Sequence, residues 1–245
     1  MENLDSVEQI GMVRRLSPDH WQKLMSACSE VRDVPARTEL IRRGDPVLSS
    51  QLLLDGLIGR YVPQLDETPR QMVALQVPGD FVDLHSFPSR ILDHDVASIT
   101  DICVGVFPHV ALRALIEDDM ALAMALWELT VIDGAIHRYW SFRIGALRTL
   151  AAVANFLCEV ELRLRLAGQS QDGQFRMPIR QTDIGEACGA TPVHISRILR
   201  DLRQAGLCTV ENGLVTIPDR HELRRVGQFD TRFLYLAAIA DFDSN

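Results

Sequence analysis

Short β-prone runs separated by turn residues fill the first half of the chain. Six such runs, with their apolar residues in alternation or in a row, lie at residues 38–41, 51–54, 57–62, 71–77, 96–99 and 103–107. The segments between them are rich in glycine, proline and aspartate, as at residues 43–46, 55–56 and 78–80. These residues favour turns because glycine accepts a positive φ, proline fixes φ, and aspartate bonds its own backbone. Many short strands at this spacing predict a small β-sandwich or barrel.

Helical patterns lie on both sides of these strands. Before them, Ser17 is a suitable N-cap and Pro18 a suitable first residue for a helix that ends near Cys28. After them, the chain is predicted to be helical for roughly 45 residues from Asp119. The segment 143–146 contains a glycine, which is costly inside a helix, and is predicted to be a hinge. A second amphipathic helix is predicted at residues 147–166.

The long helix carries an apolar seam with the period of a coiled coil. Its members are spaced alternately three and four residues apart and are Leu122, Ala125, Leu129, Ile132, Ile136 and Tyr139. We interpret this seam as the interface of a homodimer, because the helix links two predicted domains and has few other partners in the sequence. The alternative is that the same face packs on the helix's own domain.

The segment from Arg180 to Leu207 predicts two helices joined by a tight turn. The first helix is Gln181–Cys188, Gly189 makes the turn, and the second helix is Pro192–Gln204, with Thr191 as its N-cap. A helix pair of this size with a glycine turn is typical of the helix-turn-helix unit. In that unit the second helix enters the major groove of DNA and reads base edges from its N-terminal half.

A β-hairpin is predicted directly after this pair. The dipeptide Asn212-Gly213 lies between the apolar runs 207–210 and 214–217, which is a strong hairpin signal. A hairpin in this position indicates a winged helix-turn-helix. An ordinary helical hairpin is the alternative, but it does not explain the polar residues predicted to face outwards. The candidate DNA-binding residues are Arg180, Thr191, Val193, His194, Ser196, Arg197, Arg200 and Asn212.

The charge is distributed unevenly along the chain. Its net value is −8, which by itself disfavours a nucleic-acid partner, yet residues 174–226 carry eight arginines against six acidic residues. A local positive balance of this kind is compatible with double-stranded DNA as a partner. The longest apolar run, residues 120–127, is much shorter than the roughly 18 residues of a membrane span. We therefore expect no membrane association and, with no signal peptide visible, a cytoplasmic protein.

The five cysteines do not form a recognisable metal or redox motif. No two of Cys28, Cys103, Cys158, Cys188 and Cys208 have C-x-x-C spacing. We expect packed thiols, no metal and no cofactor. The alternative is a thiol sensor at Cys188, whose oxidation would disturb the first helix of the predicted DNA-binding unit.

These features together resemble the CRP/FNR superfamily of transcription regulators, from about Leu16 to Val226. The matching segments are 35–46, 52–61 and 78–81 in the first half, and 184–189 and 193–199 in the second. The resemblance implies an α+β fold with an N-terminal double-stranded β-roll of the cyclic-nucleotide-binding type, a long dimerisation helix and a C-terminal winged helix-turn-helix. The corresponding domains are 1–118, 119–145 and 146–245. It also implies a homodimer that binds a palindromic site and contacts RNA polymerase, and no enzyme activity.

The roll departs from the cyclic-nucleotide binders of this family. Their Gly-Glu pair is absent here, and the position of their phosphate-binding arginine is taken by Leu92. The adjacent carboxylates of Asp93 and Asp95 would repel a cyclic phosphate. Arg90 could replace the missing arginine only if the loop were shifted. We therefore expect a signal other than cyclic AMP, in a pocket formed by Asp83, His85, Arg90 and His94.

Two further departures change what is expected of the protein. The iron–sulfur members of the family resemble one another in a cluster of N-terminal cysteines, and here only Cys28 lies in that region. In the second predicted helix, Val193 occupies a position where many members have a glutamate that reads cytosine, whereas Arg197 matches their guanine-reading arginine. The DNA half-site should therefore differ from the usual one at one position.

Two other functions are compatible with the sequence. One is a regulator of the same family that responds to no effector and is controlled by its abundance. The other is a jelly-roll metalloenzyme that uses His85 and His94, with the winged helix as a protein-interaction module. The sequence shows no clustered set of acid, base and nucleophile that would support the enzyme alternative.

Overall fold

The computed structural model describes residues 7–63 and 70–236. Short 3-10 helices lie near its two ends, at Gly11–Arg15 and Arg232–Leu234. Between them the elements follow in chain order as α1 (Pro18–Ser26), β1 (Glu30–Val34), β2 (Glu39–Ile41), β3 (Ser49–Asp55), β4 (Ile58–Pro63), β5 (Arg70–Gln76), α2 (Ser86–Ser89), β6 (Asp95–Ser98), β7 (Ile102–Pro108), α3 (His109–Asp118), α4 (Met120–Ala146), α5 (Thr149–Leu166), β8 (Ser170–Gln171), β9 (Gln174–Arg176), α6 (Gln181–Cys188), α7 (Pro192–Gln204), β10 (Thr209–Glu211), β11 (Leu214–Thr216) and α8 (Arg220–Val226).

Strands β1 to β7 form a roll of two antiparallel sheets, in the orders β1-β7-β3 and β2-β6-β4-β5. Side chains from these strands and their loops fill one apolar cluster: Ile41, Val47, Leu53, Ile58, Val82, Leu92, Val96, Ile102 and Val104. The six strands predicted from the sequence correspond to β2 to β7, and the expected α+β fold with a β-roll is confirmed. Strand β1 was not predicted because it is a sheet edge with mostly exposed, charged residues and therefore lacks a clear apolar alternation.

Helix α4 is continuous through the segment predicted to be a hinge. It begins at the N-cap Asp119, whose carboxylate accepts hydrogen bonds from two backbone amides, and ends only at Ala146. Arg143, in the last turn, is fully buried and its Nε donates to Asn155 Oδ1 at 2.9 Å. This contact holds the last turn helical despite Gly145, so the predicted hinge at residues 143–146 is wrong. The break between the two helices lies at residues 147–148 instead.

The predicted dimer seam faces the chain itself. Leu122, Leu129, Ile132 and Ile136 are at most 8% exposed and pack in the main hydrophobic core. The structure therefore corrects the sequence interpretation for these four residues, because a side chain buried within its own subunit cannot form the bulk of an interface. The sequence does not reveal which face is buried, because α4 is apolar on more than one face and the three-four period fits each of them.

A second apolar stripe of α4 is exposed. Its members also follow the four-three-four spacing and are Met120, Met124, Trp127 and Val131, which are 72%, 52%, 61% and 44% exposed. We call this set the outer stripe. By length and composition alone α4 is apolar enough to cross a membrane, and about a third of its most apolar window is buried within the chain.

The C-terminal part contains a third sheet, in the order β10-β11-β9-β8, packed with α5 to α8. Helices α6 and α7 have the bounds predicted from the sequence. Strands β8 and β9 form a short hairpin, with positive φ at Asp172 and Gly173 in its turn.

The residues beyond α8 return to α4. Tyr139 stacks on Phe233 with ring centroids 3.9 Å apart, and its hydroxyl accepts from the backbone amide of Asp230 at 3.0 Å. Arg15 donates to the carbonyl groups of Leu234 and Tyr235 at 2.5 and 2.6 Å. Tyr139, the last residue of the predicted seam, is therefore held by its own chain; Ala125 is half-buried.

Candidate functional site

Helix α7 is positioned by its cap and by close packing against α6. Thr191 Oγ1 accepts from the His194 amide at 3.3 Å, and Pro192 is the first helical residue. Gly189 ends α6 at φ 65°, a left-handed conformation that glycine adopts without strain. A side chain at Gly185 would lie 2.4 Å from the carbonyl oxygen of Ala190, so glycine is needed where the turn approaches α6.

The two faces of α7 differ sharply. Ile195, Ile198 and Leu202 are at most 6% exposed and fix the helix to the core. The opposite face presents polar and cationic side chains to solvent. All eight residues predicted to bind DNA are exposed: Arg180, Thr191, Val193, His194, Ser196, Arg197, Arg200 and Asn212.

The predicted wing is the hairpin of β10 and β11. Asn212 and Gly213 both have positive φ, 51° and 76°, as a two-residue turn of type I′ requires. The turn sets Glu211 opposite Leu214. Gln181, Ser196, Arg200 and Arg203 line one open depression between α6, α7 and β10. A polar surface thus extends from the two helices to the hairpin, and the guanidinium groups of arginine side chains supply its positive charge.

Polar contacts hold the helix pair against the roll. Arg37, in the turn before β2, donates to both carboxylate oxygens of Asp183 in the first turn of α6, at 2.8 and 2.7 Å. Asp183 also accepts from the Arg180 amide at 2.7 Å. On β5, the amide group of Gln71 donates to the carbonyl of Glu186.

A second group of polar side chains lies where the roll meets α4. Arg60 on β4 is fully buried and its Nη1 donates to Oδ2 and Oδ1 of Asp133 on α4 at 2.7 and 2.9 Å. The Nδ1 atoms of His85 and His137 lie 3.7 and 4.0 Å from the same Oδ2. The ring of His94 stacks on that of His85, with centroids 5.4 Å apart. We call these five residues the junction cluster.

The histidines of the junction cluster are neutral near pH 7. Burial, together with the nearby Arg60 guanidinium, lowers the pKa of His85 to about 4. Burial also lowers the pKa values of His94 and His137, with Arg60 acting in the same direction. The cluster borders a small cavity of about 30 Å³, which is lined by Met12, Gly79, Asp80, Phe81, Leu84, His85, Leu129, Thr130, Ile132, Asp133 and Ile136.

Of the four residues predicted for an effector pocket, only His85 and His94 come together. Asp83 is buried, its Oδ1 accepts from the Gln51 amide at 2.7 Å, and burial raises its pKa to about 7. Arg90 is exposed at the left-handed end of α2, and its carbonyl accepts from the Val47 amide. The structure thus does not bring Arg90 to the junction cluster, and this part of the prediction is wrong.

Sequence reasoning missed Arg60, Asp133 and His137. They lie on β4 and α4, far along the chain from the loop that carries His85 and His94. One signal was available: Arg60 is a charged residue in the middle of a strand that is otherwise apolar, which indicates a buried and therefore paired charge.

The structure also describes Leu92, the residue predicted from the sequence to take the place of the family's phosphate-binding arginine. Leu92 is 3% exposed and belongs to the apolar cluster of the roll. Next to it, Asp93 Oδ1 lies 2.8 Å from Nδ1 of His94. No cation replaces the missing arginine at these two residues.

Comparison with known proteins agrees with this architecture. Residues 151–226 match the Crp-like helix-turn-helix domain. A probable transcriptional activator from Rhizobium leguminosarum bv. viciae is 24% identical over 80% of each chain, and the transcriptional activator protein anr of Pseudomonas aeruginosa is 24% identical over 75% of each. The structure of FixK2 from Bradyrhizobium japonicum superposes with a TM-score of 0.73 at 22% identity, covering 80% of this chain and 96% of that one. The winged helix-turn-helix, the roll and these likenesses support a DNA-binding transcription regulator of the CRP/FNR type.

Proposed function

We propose that the protein acts as a homodimer that reads a palindromic DNA site, one winged helix per half-site. The observation that carries this is the exposed polar face of α7, aligned with the wing on one surface. Two-fold symmetry of the protein matches a two-fold repeat in DNA, because each subunit then makes the same contacts.

The outer stripe of α4 is the proposed dimer interface. Its four large apolar side chains form one face, and the face behind it, with Leu122 and Ile132, is already buried on the subunit's own core. A second copy of α4 would cover the stripe through the three-four spacing of a coiled coil. A membrane would leave the charged and polar neighbours of the stripe, such as Glu128 and Arg138, in contact with lipid, at high cost.

Arg197 is the proposed base reader. Its planar guanidinium can donate two hydrogen bonds to O6 and N7 of guanine, and Val193, 66% exposed near the start of α7, can contact a thymine methyl group. His194 and Arg200 lie three residues to either side of Arg197 and so share its face. Arg180, Thr191 and Asn212, at helix starts and the wing tip, are the proposed phosphate contacts.

Control of DNA binding is proposed to occur through the junction of the roll with α4, in response to a signal other than cyclic AMP. The junction cluster links both elements through the Arg60–Asp133 ion pair. Within the roll, Leu92 offers no cationic partner for a cyclic phosphate. We further propose that the protein works in the bacterial cytoplasm and contacts RNA polymerase, since the two relatives compared are described as transcriptional activators. A member controlled by abundance alone is the alternative.

Selection of bound sequences from a random pool of double-stranded DNA tests the proposal. We expect enrichment of an inverted repeat whose half-site centres lie about 10 base pairs apart, or a multiple of that. Enrichment of a single half-site without a repeat would contradict the dimeric arrangement, and no enrichment would contradict sequence-specific binding.

A further inference from the structure

The two ends of the described chain meet on one flank of α4. Arg15, at the end of the first 3-10 helix, has a side chain that is only 3% exposed. Its Nη1 donates to Oε1 of Glu128 on α4 at 2.9 Å, and its Nη2 donates to the carbonyl groups of Leu234 and Tyr235 at 2.5 and 2.6 Å. One guanidinium thus joins the N-terminal segment, α4 and residues 227–236, which we call the C-terminal tail.

The other end of the C-terminal tail is fixed to the DNA-binding half. The tail follows α8, which packs on α5, and the side-chain amide of Asn155 on α5 donates to the carbonyl of Gly227 at 2.9 Å. A side chain at Gly227 would lie 2.6 Å from the backbone nitrogen of Asn155, so the tail begins in close backbone contact with α5. The tail therefore connects the DNA-binding half to α4 a second time, in addition to the covalent connection at residues 147–148.

This second connection lies far from the break between α4 and α5. Arg143, which bonds Asn155, is about one helical turn before the break, roughly 6 Å along the axis. Glu128 is about five turns before it, roughly 28 Å along the axis. A contact far from a pivot opposes rotation more than an equal contact near it, because the same change of angle displaces it further. Arg15 is therefore well placed to set the angle between α4 and the DNA-binding half.

The segment that leads to Arg15 also touches the roll. Gly11 and Gly79 both have left-handed backbone conformations, with φ of 58° and 90°. A side chain at Gly11 would lie 2.4 Å from the carbonyl oxygen of Pro78, and a side chain at Gly79 would lie 2.3 Å from that of Ile10. The two backbones are therefore in contact, beside the small cavity between the roll and α4. A shift of the turn at Pro78 would be passed to this segment and so to Arg15.

The bonds that Arg15 makes are of a kind that can open. Its ionic partner Glu128 is 48% exposed, so water can replace the guanidinium there. Ion pairs with an exposed partner contribute little to stability. The other two acceptors are carbonyl groups at the end of a 3-10 helix of only three residues. The contact therefore fixes the tail without making its position permanent.

We propose that Arg15 is a positioning residue for DNA binding, which holds the C-terminal tail on α4 and so sets the angle of the DNA-binding half. The segment that precedes it connects this contact to the turn at Pro78 in the roll. The inference rests on the proposed function, because the angle matters only to a protein that presents α7 to DNA. It names a route of control that does not pass through the ion pair of the junction cluster.

Hydrogen exchange of the full-length protein without DNA tests the contact itself. Arg15→Met should speed exchange of the Leu234 and Tyr235 amides by roughly 10–100-fold, because the tail loses hydrogen bonds to a charged group, and should leave the α7 amides unchanged. Arg15→Lys keeps a cation near the same acceptors and should restore most of the protection. Glu128→Gln removes one bond of the three and should have a smaller effect in the same direction. The matched control is Arg14→Met, at the exposed neighbouring arginine.

A pair of glycine variants tests the connection to the roll. Gly11→Ala places a methyl group against the Pro78 carbonyl, whereas the methyl group of Gly44→Ala meets nothing within 4 Å. Both glycines have positive φ, 58° and 84°, so both variants carry the same kind of backbone strain. Gly11→Ala should speed exchange of the Tyr235 amide, and Gly44→Ala should not. Circular dichroism checks the fold of every variant, and Glu128→Gln tests the contact if Arg15→Met does not fold.

Affinity for the selected DNA is measured separately. Arg15→Met should weaken it on the order of 10-fold with base preference and salt slope unchanged, because only the fraction of correctly oriented protein falls. Three results would overturn the proposal: equal tail exchange in Arg15→Met and Arg14→Met, equal tail exchange in the two glycine variants, or unchanged or tighter DNA binding by Arg15→Met. Absence of specific DNA binding in the wild type would instead remove the proposed function, while the exchange data alone decide whether Arg15 holds the tail.

Discussion

Arg37 and Asp183 form a two-point ion pair across the boundary between the roll and the helix-turn-helix, with N–O distances of 2.8 and 2.7 Å. The carboxylate is 4% exposed and the guanidinium 29%. The parallel geometry fixes orientation as well as distance, because a planar guanidinium bonds both oxygens only when the two groups are coplanar. The first helix of the helix-turn-helix is thereby held in a defined orientation to the roll.

Loss of this pair should destabilise the protein measurably. Arg37→Met leaves a buried carboxylate that keeps only its bond from the Arg180 amide, which should reduce the free energy of unfolding by about 1–3 kcal/mol. The matched control is Arg42→Met, which removes an arginine that is 68% exposed and paired with Glu39 at the surface. That change should cost no more than about 0.5 kcal/mol. Equal urea midpoints for the two variants would show that the interdomain pair contributes nothing.

Arg197 and Arg180 should have separable roles in DNA binding. Arg197→Ala should weaken specific binding by roughly 10–200-fold per half-site and relax the preference at one base pair. Arg180→Ala should weaken operator and scrambled DNA alike and reduce the salt slope by about 1, since it removes a phosphate contact. Titrations at several salt concentrations measure both quantities. If Arg197→Ala weakens both DNAs equally, Arg197 does not read a base.

Substitution in the outer stripe should separate the subunits. Trp127→Asp puts two carboxylates near the two-fold axis and should give monomers in analytical ultracentrifugation, because Trp127 is 61% exposed and contributes the largest side chain of the stripe. Val110→Asp, at a residue 77% exposed on α3, is the control and should leave the dimer intact. The more obvious target from the sequence, Ile132, is 2% exposed, and its replacement by a charge would unfold the subunit instead. A Trp127→Asp dimer of unchanged affinity would place the interface elsewhere.

Cyclic AMP should not bind. Leu92, which the sequence predicts to take the place of the family's phosphate-binding arginine, is buried, and the carboxylate of Asp93 is beside it. Isothermal calorimetry with cyclic AMP should show no heat of specific binding, and DNA affinity should be the same with and without the nucleotide. Binding with a micromolar Kd would mean that a cation from elsewhere reaches the site.

The acid sensitivity of the protein should depend in part on Asp119. A hydrogen bond from Lys23, with further bonds from backbone amides, lowers the pKa of this N-cap carboxyl from 3.8 to about 2. A depressed pKa gives stability that is present above about pH 4 and lost as the pH falls towards 2. Asp119→Asn keeps the cap but removes the charge, so its urea midpoint should lie below that of the wild type at pH 7. The two midpoints should converge near pH 2, and a constant difference would exclude the charge as the cause.

Local signals predicted the winged helix well because each of its boundaries depends on neighbouring residues. The cap at Thr191, the left-handed Gly189 and the turn at Asn212 are all set within a few residues, and the structure has each as expected. Tertiary packing decided what local signals could not. The period of α4 could not say which of its apolar faces is buried, and no pattern relates Arg60 to Asp133, which are 73 positions apart. The last turn of α4 is helical despite Gly145, because Arg143 in that turn bonds Asn155 on α5.

Asp80 gives the roll a mechanical link to the DNA-binding half. Its carboxylate accepts from the Val77 amide at 2.8 Å, so it moves with its turn, and it also pairs with Arg163 of α5. Arg163 and the adjacent Glu159 are at most 1% exposed, so water cannot substitute for a contact that is lost. A displacement of the turn must therefore either carry α5 with it or break the pair outright. Any response that passes through this contact should be stepwise, with two discrete positions of α5 and no graded series between them.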